Sequence, residues 1–333
     1  MKKVAICGAT GVVGQEIIKC LYQTKFPISE LTLFASKRSA GKTQKTPFGD
    51  KQIQEFNEEI VQNYDFVLMS VGSEFSKKYG KTLTEKGAIV IDNSSAWRYD
   101  DAIPLVIPEI NSSQLVGKNL IANPNCTTAI LAMALYPIYK EFGLKKVIVS
   151  TYQAVSGAGY AAMQELEVQS QKYLQNQKVE NTNFLYPIPF NLIPHIDKFQ
   201  ENKYTKEEMK VVWETRKIFN DNNLNISCTA VRIPTFRAHA EAATLETEKP
   251  VNLNKIYEIL NKAPGVQVVD TIEKNLYPMP LTATEKFDIE VGRIRANIVF
   301  GEYGLDFFVC GDQLLKGAAL NAVQIAQACL EIV

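Results

Sequence analysis

One of the six cysteines stands where its sulfur could act as a nucleophile. Pro124 stops any upstream helix and the apolar run after Cys126 has helical spacing, which predicts that Cys126 lies at or beside a helix N-terminus. The helix dipole favours a thiolate there, and a thiolate can attack a carbonyl carbon while nearby backbone N–H groups bind the developing oxyanion. The other five cysteines lie in apolar strand or helix patterns. No CxxC spacing predicts a disulfide framework or a metal site.

A nucleophilic thiol commonly needs a proton acceptor, and the chain has two histidines. In a strand that contains Arg237, His239 and Glu241, alternation puts these three side chains on one face and the alanines on the other. On that polar face His239 is a better general base than His195, which lies in a loop. The residues alone leave a purely structural role for His239 equally open.

A glycine-containing turn near the N-terminus predicts a dinucleotide site. The run Gly8-Ala9-Thr10-Gly11-Val12-Val13-Gly14 follows an apolar strand and opens a helix, where backbone N–H groups and the helix dipole can hold a pyrophosphate. Its spacing is GxxGxxG, with Thr10 where the commoner fingerprint has its second glycine. A tight turn with a structural role only is the alternative.

The end of the second predicted strand favours NADP over NAD. The segment there is Ala35-Ser36-Lys37-Arg38-Ser39, without the acidic residue that usually binds a ribose 2′-hydroxyl. The hydroxyl groups of Ser36 and Ser39 and the cation of Arg38 suit a 2′-phosphate instead. Ordinary solvated loop charges remain the alternative for Lys37 and Arg38.

The elements that position these residues alternate in the first half of the chain as parallel βαβ units require, which predicts an α/β, doubly wound parallel Rossmann sheet. A helix is predicted over 11–23. The predicted strands are Lys3–Cys7, Leu31–Ala35, Asp65–Met69, Ala88–Asp92 and Leu105–Ile107.

After Cys126 the sequence pattern changes. Several stretches in which apolar and polar residues alternate predict a second, α+β domain with a mainly antiparallel sheet. These stretches are 145–153, 225–234, 237–248 and 288–300. The expected organisation is an NADP-binding domain over 1–125, completed by a C-terminal helix over 312–333, and a catalytic and dimerisation domain over 126–311. The polar stretch 169–183 is interpreted as an excursion or interface arm.

Composition excludes several other classes of protein. The 333 residues predict about two domains, and 36 basic residues against 36 acidic ones leave no excess charge to bind nucleic acid or anionic lipid. With 46% apolar residues, the chain can bury a core. No apolar stretch reaches the ~18 residues of a membrane-spanning helix. The N-terminal segment lacks a signal-peptide core, so a cytoplasmic location is expected.

Several ordered motifs together resemble the bacterial type of aspartate-β-semialdehyde dehydrogenase from end to end. They are the glycine-containing turn, the segment 123–128, the segment 150–159, the pair Val231-Arg232-Ile233-Pro234 and His239, and the segment 315–319. The resemblance implies NADP-dependent reduction of β-aspartyl phosphate to aspartate semialdehyde through a cysteine thioester, with release of phosphate. It also implies a homodimer and a place in the biosynthesis of lysine, threonine, methionine and diaminopimelate.

The resemblance also implies the roles of individual residues. The catalytic residues would be Cys126 as nucleophile, His239 as acid/base and Gln153 as the orienting group. Arg232 would bind the substrate's α-carboxylate, and Glu207 would bind its α-ammonium. The phosphate would be bound by Arg98, Asn125 and Lys210. Ser156, Gly157 and Gln313 would complete the cofactor contacts. Similar proteins tend to have asparagine at position 313, so the geometry of Gln313 at the nicotinamide carboxamide is an open point.

Two other functions remain open. A reductase of another acyl phosphate, such as N-acetylglutamyl phosphate, would use the same thiol chemistry, and Glu207 discriminates because an acetylated amine needs no carboxylate partner. Without the resemblance, Glu207 and Lys210 could be a surface i,i+3 pair. A non-catalytic NADP-binding homologue is the second alternative, although such a protein has no use for Cys126, Gln153 and His239 together.

Overall fold

The computed structural model describes residues 1–332, so Val333, the last residue of the predicted C-terminal helix, lies outside the described residues. The chain forms two compact units, one of residues 1–125 together with the chain from Gly317 onward, the other of Cys126–Lys316. The C-terminal segment thus joins the first unit five residues later than the expected 312. Asp312 and Gln313 remain in the second unit, where they are hydrogen-bonded to Arg237 and Ala238.

The first unit is built on a seven-stranded sheet in the order β3-β4-β2-β1-β5-β6-β7. Its strands are β1 (Lys2–Cys7), β2 (Ile28–Ala35), β3 (Thr43–Gln44), β4 (Lys51–Glu55), β5 (Phe66–Met69), β6 (Ile89–Asp92) and β7 (Leu120–Ala122). The helices within residues 1–125 are α1 (Val12–Gln23), α2 (Glu58–Val61), α3 (Ser73–Tyr79) and α4 (Pro108–Asn111). All pairings are parallel except β3–β4, which confirms the doubly wound sheet.

The predicted strand Leu105–Ile107 is wrong. Leu105 forms only an isolated bridge to Ala122, and the seventh strand is β7. The reason is local, because Pro104 has no N–H to donate and Pro108 starts α4 directly after the segment.

The second unit is built on a six-stranded sheet in the order β11-β12-β13-β10-β8-β9. Its helices are α5 (Cys126–Phe142), α6 (Tyr160–Leu174), α7 (Lys206–Phe219), α8 (Leu253–Lys262) and α9 (Pro280–Ala283). Its strands are β8 (Lys146–Gln153), β9 (Asn225–Arg232), β10 (His239–Glu246), β11 (Val266–Val268), β12 (Ile289–Ala296) and β13 (Gly304–Gly311). The three central pairings are antiparallel and the two outer ones parallel, so the sheet is mixed with an antiparallel centre.

Two helices fix the residues of the candidate site. Helix α5 begins at Cys126 and is buried on nearly all sides through Leu135, as expected of a helix inside a core. Helix α7 starts with a capping box, in which Thr205 accepts from the Glu208 N–H and the Glu208 carboxylate accepts from the Thr205 N–H. The box sets the first turn of α7, and with it the direction of Glu207.

The polar stretch 169–183, expected to be an excursion or interface arm, makes contacts within its own unit. Its first part belongs to α6, and the loop that follows folds back onto that helix. The Glu165 carboxylate accepts hydrogen bonds from the backbone N–H groups of Thr182 and Asn183. The polar residues therefore fasten the loop to its own helix.

The C-terminal helix α10 (Leu320–Ile332) follows a π-helical turn over Leu315–Ala319 and carries a buried apolar face. Within the first unit, the Asn321 amide donates to the carbonyl oxygen of Val106. Among residues 1–332, no helix combines the length and the apolar character that crossing a membrane requires.

Candidate active site

A cavity of about 350 Å³ lies in the first unit at the carboxyl ends of β1, β2 and β5. The strand order runs outward in opposite directions from β1, and this switch point is where open α/β sheets bind ligands. Gly8, Thr10, Gly11 and Ser36 contribute to its wall. The glycine-containing turn and the end of the second strand, predicted separately, thus line one cavity.

The glycines of this turn have distinct physical reasons. Gly8 has φ +83°, and a Cβ there would collide with the carbonyl oxygen of Ser70. A Cβ at Gly14 would collide with the carbonyl oxygen of Gly8. Gly11 is the N-cap of α1 and provides no side-chain hydrogen bond to the first turn. The turn therefore brings a helix N-terminus without a side-chain cap to the cavity, as an anion site requires.

Other predicted cofactor residues lie near this cavity without lining it. Val12, Val13 and Gly14 form the first turn of α1. Arg38 is exposed on the turn after β2, and the Ser39 N–H donates to the carbonyl oxygen of Ser36. The sequence analysis missed the wall formed by Ser70-Val71-Gly72, although the strand-to-helix change between β5 and α3 was a usable signal.

The candidate nucleophile lies in the second unit. The Sγ atom of Cys126 is 3.5 Å from Nε2 of His239, and Cys126 is the one cysteine of the six that is partly exposed. Burial raises the pKa of the Cys7 thiol to about 12, so that thiol stays protonated and unreactive. The structure thus brings together the thiol and the imidazole that the sequence analysis selected.

The ring of His239 is held by a backbone group. Its Nδ1 accepts a hydrogen bond of 3.1 Å from the N–H of Ala154, so the neutral ring carries its proton on Nε2, which faces the sulfur. Burial and the neighbouring Arg232 guanidinium lower the pKa of His239 well below its usual 6.5. At neutral pH the imidazole is therefore uncharged and presents an N–H to Sγ.

The expected alternation holds for His239 and Glu241 of β10 but is wrong for Arg237. Ala238 has φ +65°, so β10 begins only at His239 and Arg237 does not belong to its alternation. His239 and Glu241 are fully buried. Both carboxylate oxygens of Glu241 lack a hydrogen-bond partner within the described part of the chain, and burial raises the pKa of Glu241 well above its usual value. Sequence reasoning assigned Glu241 no role.

Five polar side chains form a connected group that begins beside the thiol. The Gln153 amide donates to Oγ1 of Thr127 at 2.6 Å and lies 3.4 Å from Oε1 of Glu207. The Lys210 ammonium lies 2.9 Å from Oε2 of Glu207 and 2.8 Å from the carboxylate of Asp197. Burial pulls the pKa of Lys210 down, but the two carboxylates hold it above its usual value. The pair Glu207–Lys210 is thus largely buried and not a surface pair.

Arg232 and Gly157 complete this group. One Arg232 nitrogen donates to the carbonyl oxygen of Ala154 at 2.6 Å, so Ala154 holds Arg232 by its oxygen and His239 by its nitrogen. Burial lowers the pKa of Arg232, although Glu207 opposes this effect, and the guanidinium stays charged. A Cβ at Gly157 would lie 3.0 Å from the guanidinium and 3.3 Å from the imidazole. The backbone at Gly157 therefore passes close to both groups.

The remaining predicted substrate and cofactor residues are buried in one or the other unit. Arg98 is buried in the first unit and donates to the carbonyl oxygen of Asn93 at 2.8 Å. Asn125 is also buried. Ser156 and Gln313, both buried, are hydrogen-bonded to each other in the second unit. No cluster of three or more potential metal ligands occurs among residues 1–332.

Comparison with known proteins decides the family. One family model, the semialdehyde dehydrogenase NAD-binding domain, matches residues 3–118, and another, the semialdehyde dehydrogenase dimerisation domain, matches residues 135–316. The chain is 45% identical over 330 residues to the aspartate-semialdehyde dehydrogenase of Aquifex aeolicus, covering 98% of this chain and 97% of the relative. It is 44% identical to the Bacillus subtilis enzyme of the same name, with 98% and 96% covered.

The chain belongs to the aspartate-semialdehyde dehydrogenase family. The resemblance found in the motifs is thereby confirmed, and the protein is an oxidoreductase of amino-acid biosynthesis. The fold agrees with solved members of the family. A Vibrio cholerae aspartate semialdehyde dehydrogenase II complexed with ASA has a TM-score of 0.95 and 40% identity, covering 99% of this chain and 98% of that one. The Candida albicans enzyme with NADP, at 24% identity and a TM-score of 0.75, shares the fold.

Proposed function

We propose that this aspartate-semialdehyde dehydrogenase reduces β-aspartyl phosphate to aspartate semialdehyde with NADPH, through a thioester on Cys126. The observation that carries the proposal is the pair formed by the partly exposed Cys126 sulfur and the buried, neutral imidazole of His239. The Vibrio cholerae structure is a complex with ASA, which supports the choice of substrate.

The acyl transfer follows from this pair. The Cys126 thiolate attacks the acyl carbon and forms a C–S bond, the C–O bond to phosphate breaks, and the departing phosphate takes up one proton from solvent. The N–H at Nε2 of His239 stabilises the thiolate before attack and the oxyanion after hydride has been added to the thioester. That oxyanion collapses to the aldehyde and regenerates the thiolate, so the reductive step needs no further proton.

Charged groups in the site suit an amino acid. Arg232 is proposed to bind the α-carboxylate, and Glu207 the α-ammonium. Lys210, Arg98 and Asn125 are proposed to bind the phosphate group. Glu207 favours a free amino acid over the N-acetylglutamyl alternative, because an acetylated amine offers no positive charge for its carboxylate to bind.

NADP fits the cavity of the first unit. The N-terminus of α1 with Gly8, Thr10 and Gly11 would hold the pyrophosphate, and Ser36, Ser39 and Arg38 would hold the 2′-phosphate. No acidic residue occurs from 35 to 39 to bind a 2′-hydroxyl instead. When bound, NADPH supplies the hydride that reduces the acyl carbon.

A homodimer is proposed through the open face of the second sheet. The matching family model is a dimerisation domain. On this face Ile148 of β8 is 49% exposed, and the rings of Tyr152 and Phe308 pack against each other at a centroid distance of 6.2 Å. The same face also carries polar side chains, among them the ion pair of Lys146 and Glu246, and such a mixture is typical of a protein interface.

Removal of the thiol tests the mechanism. Cys126→Ala is expected to lower phosphate-dependent reduction of NADP by aspartate semialdehyde by at least about 10³-fold, since covalent capture is lost. Cys329→Ala changes a buried cysteine of α10 and is the matched control, with activity expected near that of the unchanged protein. The assay records NADPH absorbance with and without phosphate, and with NADP and NAD side by side. Full turnover in Cys126→Ala, or turnover independent of phosphate, would reject the proposal.

A further inference from the structure

The amide of Gln313 connects two segments that hold the candidate catalytic histidine. Its Oε1 accepts a hydrogen bond of 2.7 Å from the N–H of Ala238, the residue before His239. Its Nε2 donates to Oγ of Ser156, in the turn that follows Ala154. Gln313 is 2% exposed. Both ends of the amide are therefore used inside the protein.

The first of these contacts holds an unfavourable backbone conformation. Ala238 is fully buried and has φ +65°, a region that residues with a Cβ rarely adopt and keep only when surrounding contacts enforce it. The next residue is His239, whose ring faces Cys126. If Ala238 relaxed to an extended conformation, the start of β10 would turn and the imidazole would move with it.

Asp312, the residue before Gln313, also holds the backbone that leads into His239. Asp312 is fully buried, and its Oδ2 lies 2.6 Å from Nε of Arg237, the residue before Ala238. Its other oxygen accepts from the N–H groups of Leu314 and Leu315, which fix the direction of this segment. Asp312 and Gln313 thus hold two consecutive residues that lead into the histidine.

The second contact acts on the other side of the ring. Ser156 belongs to the same turn as Ala154, whose N–H binds Nδ1 of His239 and so determines which ring nitrogen carries the proton. A displacement of this turn would weaken that hydrogen bond. Gln313 spans the gap between the backbone before His239 and the turn that selects its tautomer.

We propose that Gln313 is a positioning residue for His239, which it holds through Ala238 and Ser156, and that this determines the reactivity of Cys126. The proposal rests on the proposed function only in taking Cys126 and His239 as the reacting pair. It adds to the sequence-based expectation of a contact with the nicotinamide carboxamide, because one N–H and one lone pair of the amide remain after the bonds to Ser156 and Ala238.

The test compares two substitutions with different hydrogen-bonding capacity. Gln313→Leu keeps the volume but removes both hydrogen bonds. Gln313→Glu keeps them, because its carboxyl group accepts from Ala238 and either donates to or accepts from the Ser156 hydroxyl. In the purified protein without cofactor, the rate of Cys126 alkylation by iodoacetamide is measured from pH 5 to 9. Gln313→Leu is expected to react roughly tenfold more slowly at pH 7, and Gln313→Glu to recover most of the rate.

A second buried glutamine supplies the matched control. Gln169 is also 2% exposed, accepts from the N–H of Ile188 and donates to Glu165 and the carbonyl oxygen of Glu180. Gln169→Leu is expected to lower the melting temperature about as much as Gln313→Leu but to leave the alkylation profile unchanged. This comparison separates a loss of stability from a loss of positioning.

Binding of NADP, measured by fluorescence titration, completes the test. The Kd for NADP is expected to stay within about twofold in both Gln313 variants, while kcat falls in Gln313→Leu. A raised Kd with an unchanged alkylation rate would overturn the proposal in favour of a direct cofactor contact. Alkylation and binding need no turnover, so failure of the proposed reaction would be seen separately in the Cys126→Ala assay.

Discussion

At the scale of single residues, the protonation state of His239 determines what the thiol can do. Because Nδ1 accepts from the Ala154 N–H, a second proton on the ring would have to replace that hydrogen bond. Burial and the positive charge of Arg232 oppose that proton as well, and both lower the pKa of His239. The geometry therefore favours a neutral imidazole that donates through Nε2 over an imidazolium.

The pH dependence of activity follows from this state. A lowered pKa means that His239 gains its proton only at a pH below its usual 6.5, so the ionisation of His239 should lower kcat/KM only below pH 6.5. The measurement is a pH profile of kcat/KM for aspartate semialdehyde. His195→Gln, which changes the other histidine, should leave the profile unchanged. A histidine ionisation above pH 6.5, or a shift of the profile in His195→Gln, would contradict this assignment.

At the scale of elements, the turn between β1 and α1 depends on close packing as much as on backbone freedom. Gly8 and Gly41 have nearly the same φ, +83° and +82°. A Cβ on Gly8 would collide with the backbone of Ser70, whereas no heavy atom lies within 4 Å of a Cβ built on Gly41. The two positions therefore separate the cost of the left-handed conformation from the cost of the collision.

Alanine substitutions at these two glycines test that separation. Gly41→Ala should cost about 1–2 kcal/mol of unfolding free energy, because an L-residue must adopt a left-handed conformation. Gly8→Ala should cost clearly more, since the turn must also move away from β5, and it should weaken NADP binding at least about tenfold. Urea denaturation and NADP titration provide the measurements. Equal losses of stability would show that the collision is relieved without displacement of the turn.

At the scale of the whole molecule, the two units contain different functional groups. The first holds the glycine-containing turn and its cavity, and the second holds the thiol, the imidazole and the charged groups proposed to bind the α-carboxylate and the α-ammonium. The sheet of the second unit has one buried face, which carries His239 and Gln153, and one face on which Ile148 is half exposed. The proposed dimer would cover this second face.

A charge placed on that face tests the dimer. Ile148→Lys is expected to shift the protein from dimer to monomer in light scattering coupled to size-exclusion chromatography, because burying an unpaired ammonium opposes association. Val116→Lys, at a residue of the first unit that is 64% exposed, is the control and should leave the mass unchanged. A dimer that persists in Ile148→Lys at micromolar concentration would place the interface elsewhere.

The sequence by itself determined the features that depend on local pattern. The doubly wound sheet followed from short apolar runs that alternate with helical spacing, and the candidate nucleophile Cys126 followed from its position after Pro124 at the start of an apolar helix. The family followed from several motifs in order. These features are readable because strand, turn and helix-terminus preferences act over a few residues.

The tertiary structure alone decided what depends on contacts between distant segments. Alternation predicted a polar face for His239, but the left-handed Ala238 and its bond to Gln313, 75 residues away, put the ring in a buried site. The choice of ring nitrogen depends on Ala154, 85 residues from His239. Hydrogen bonds of this kind leave no periodic signal in the chain, because they arise only when packing brings the partners together.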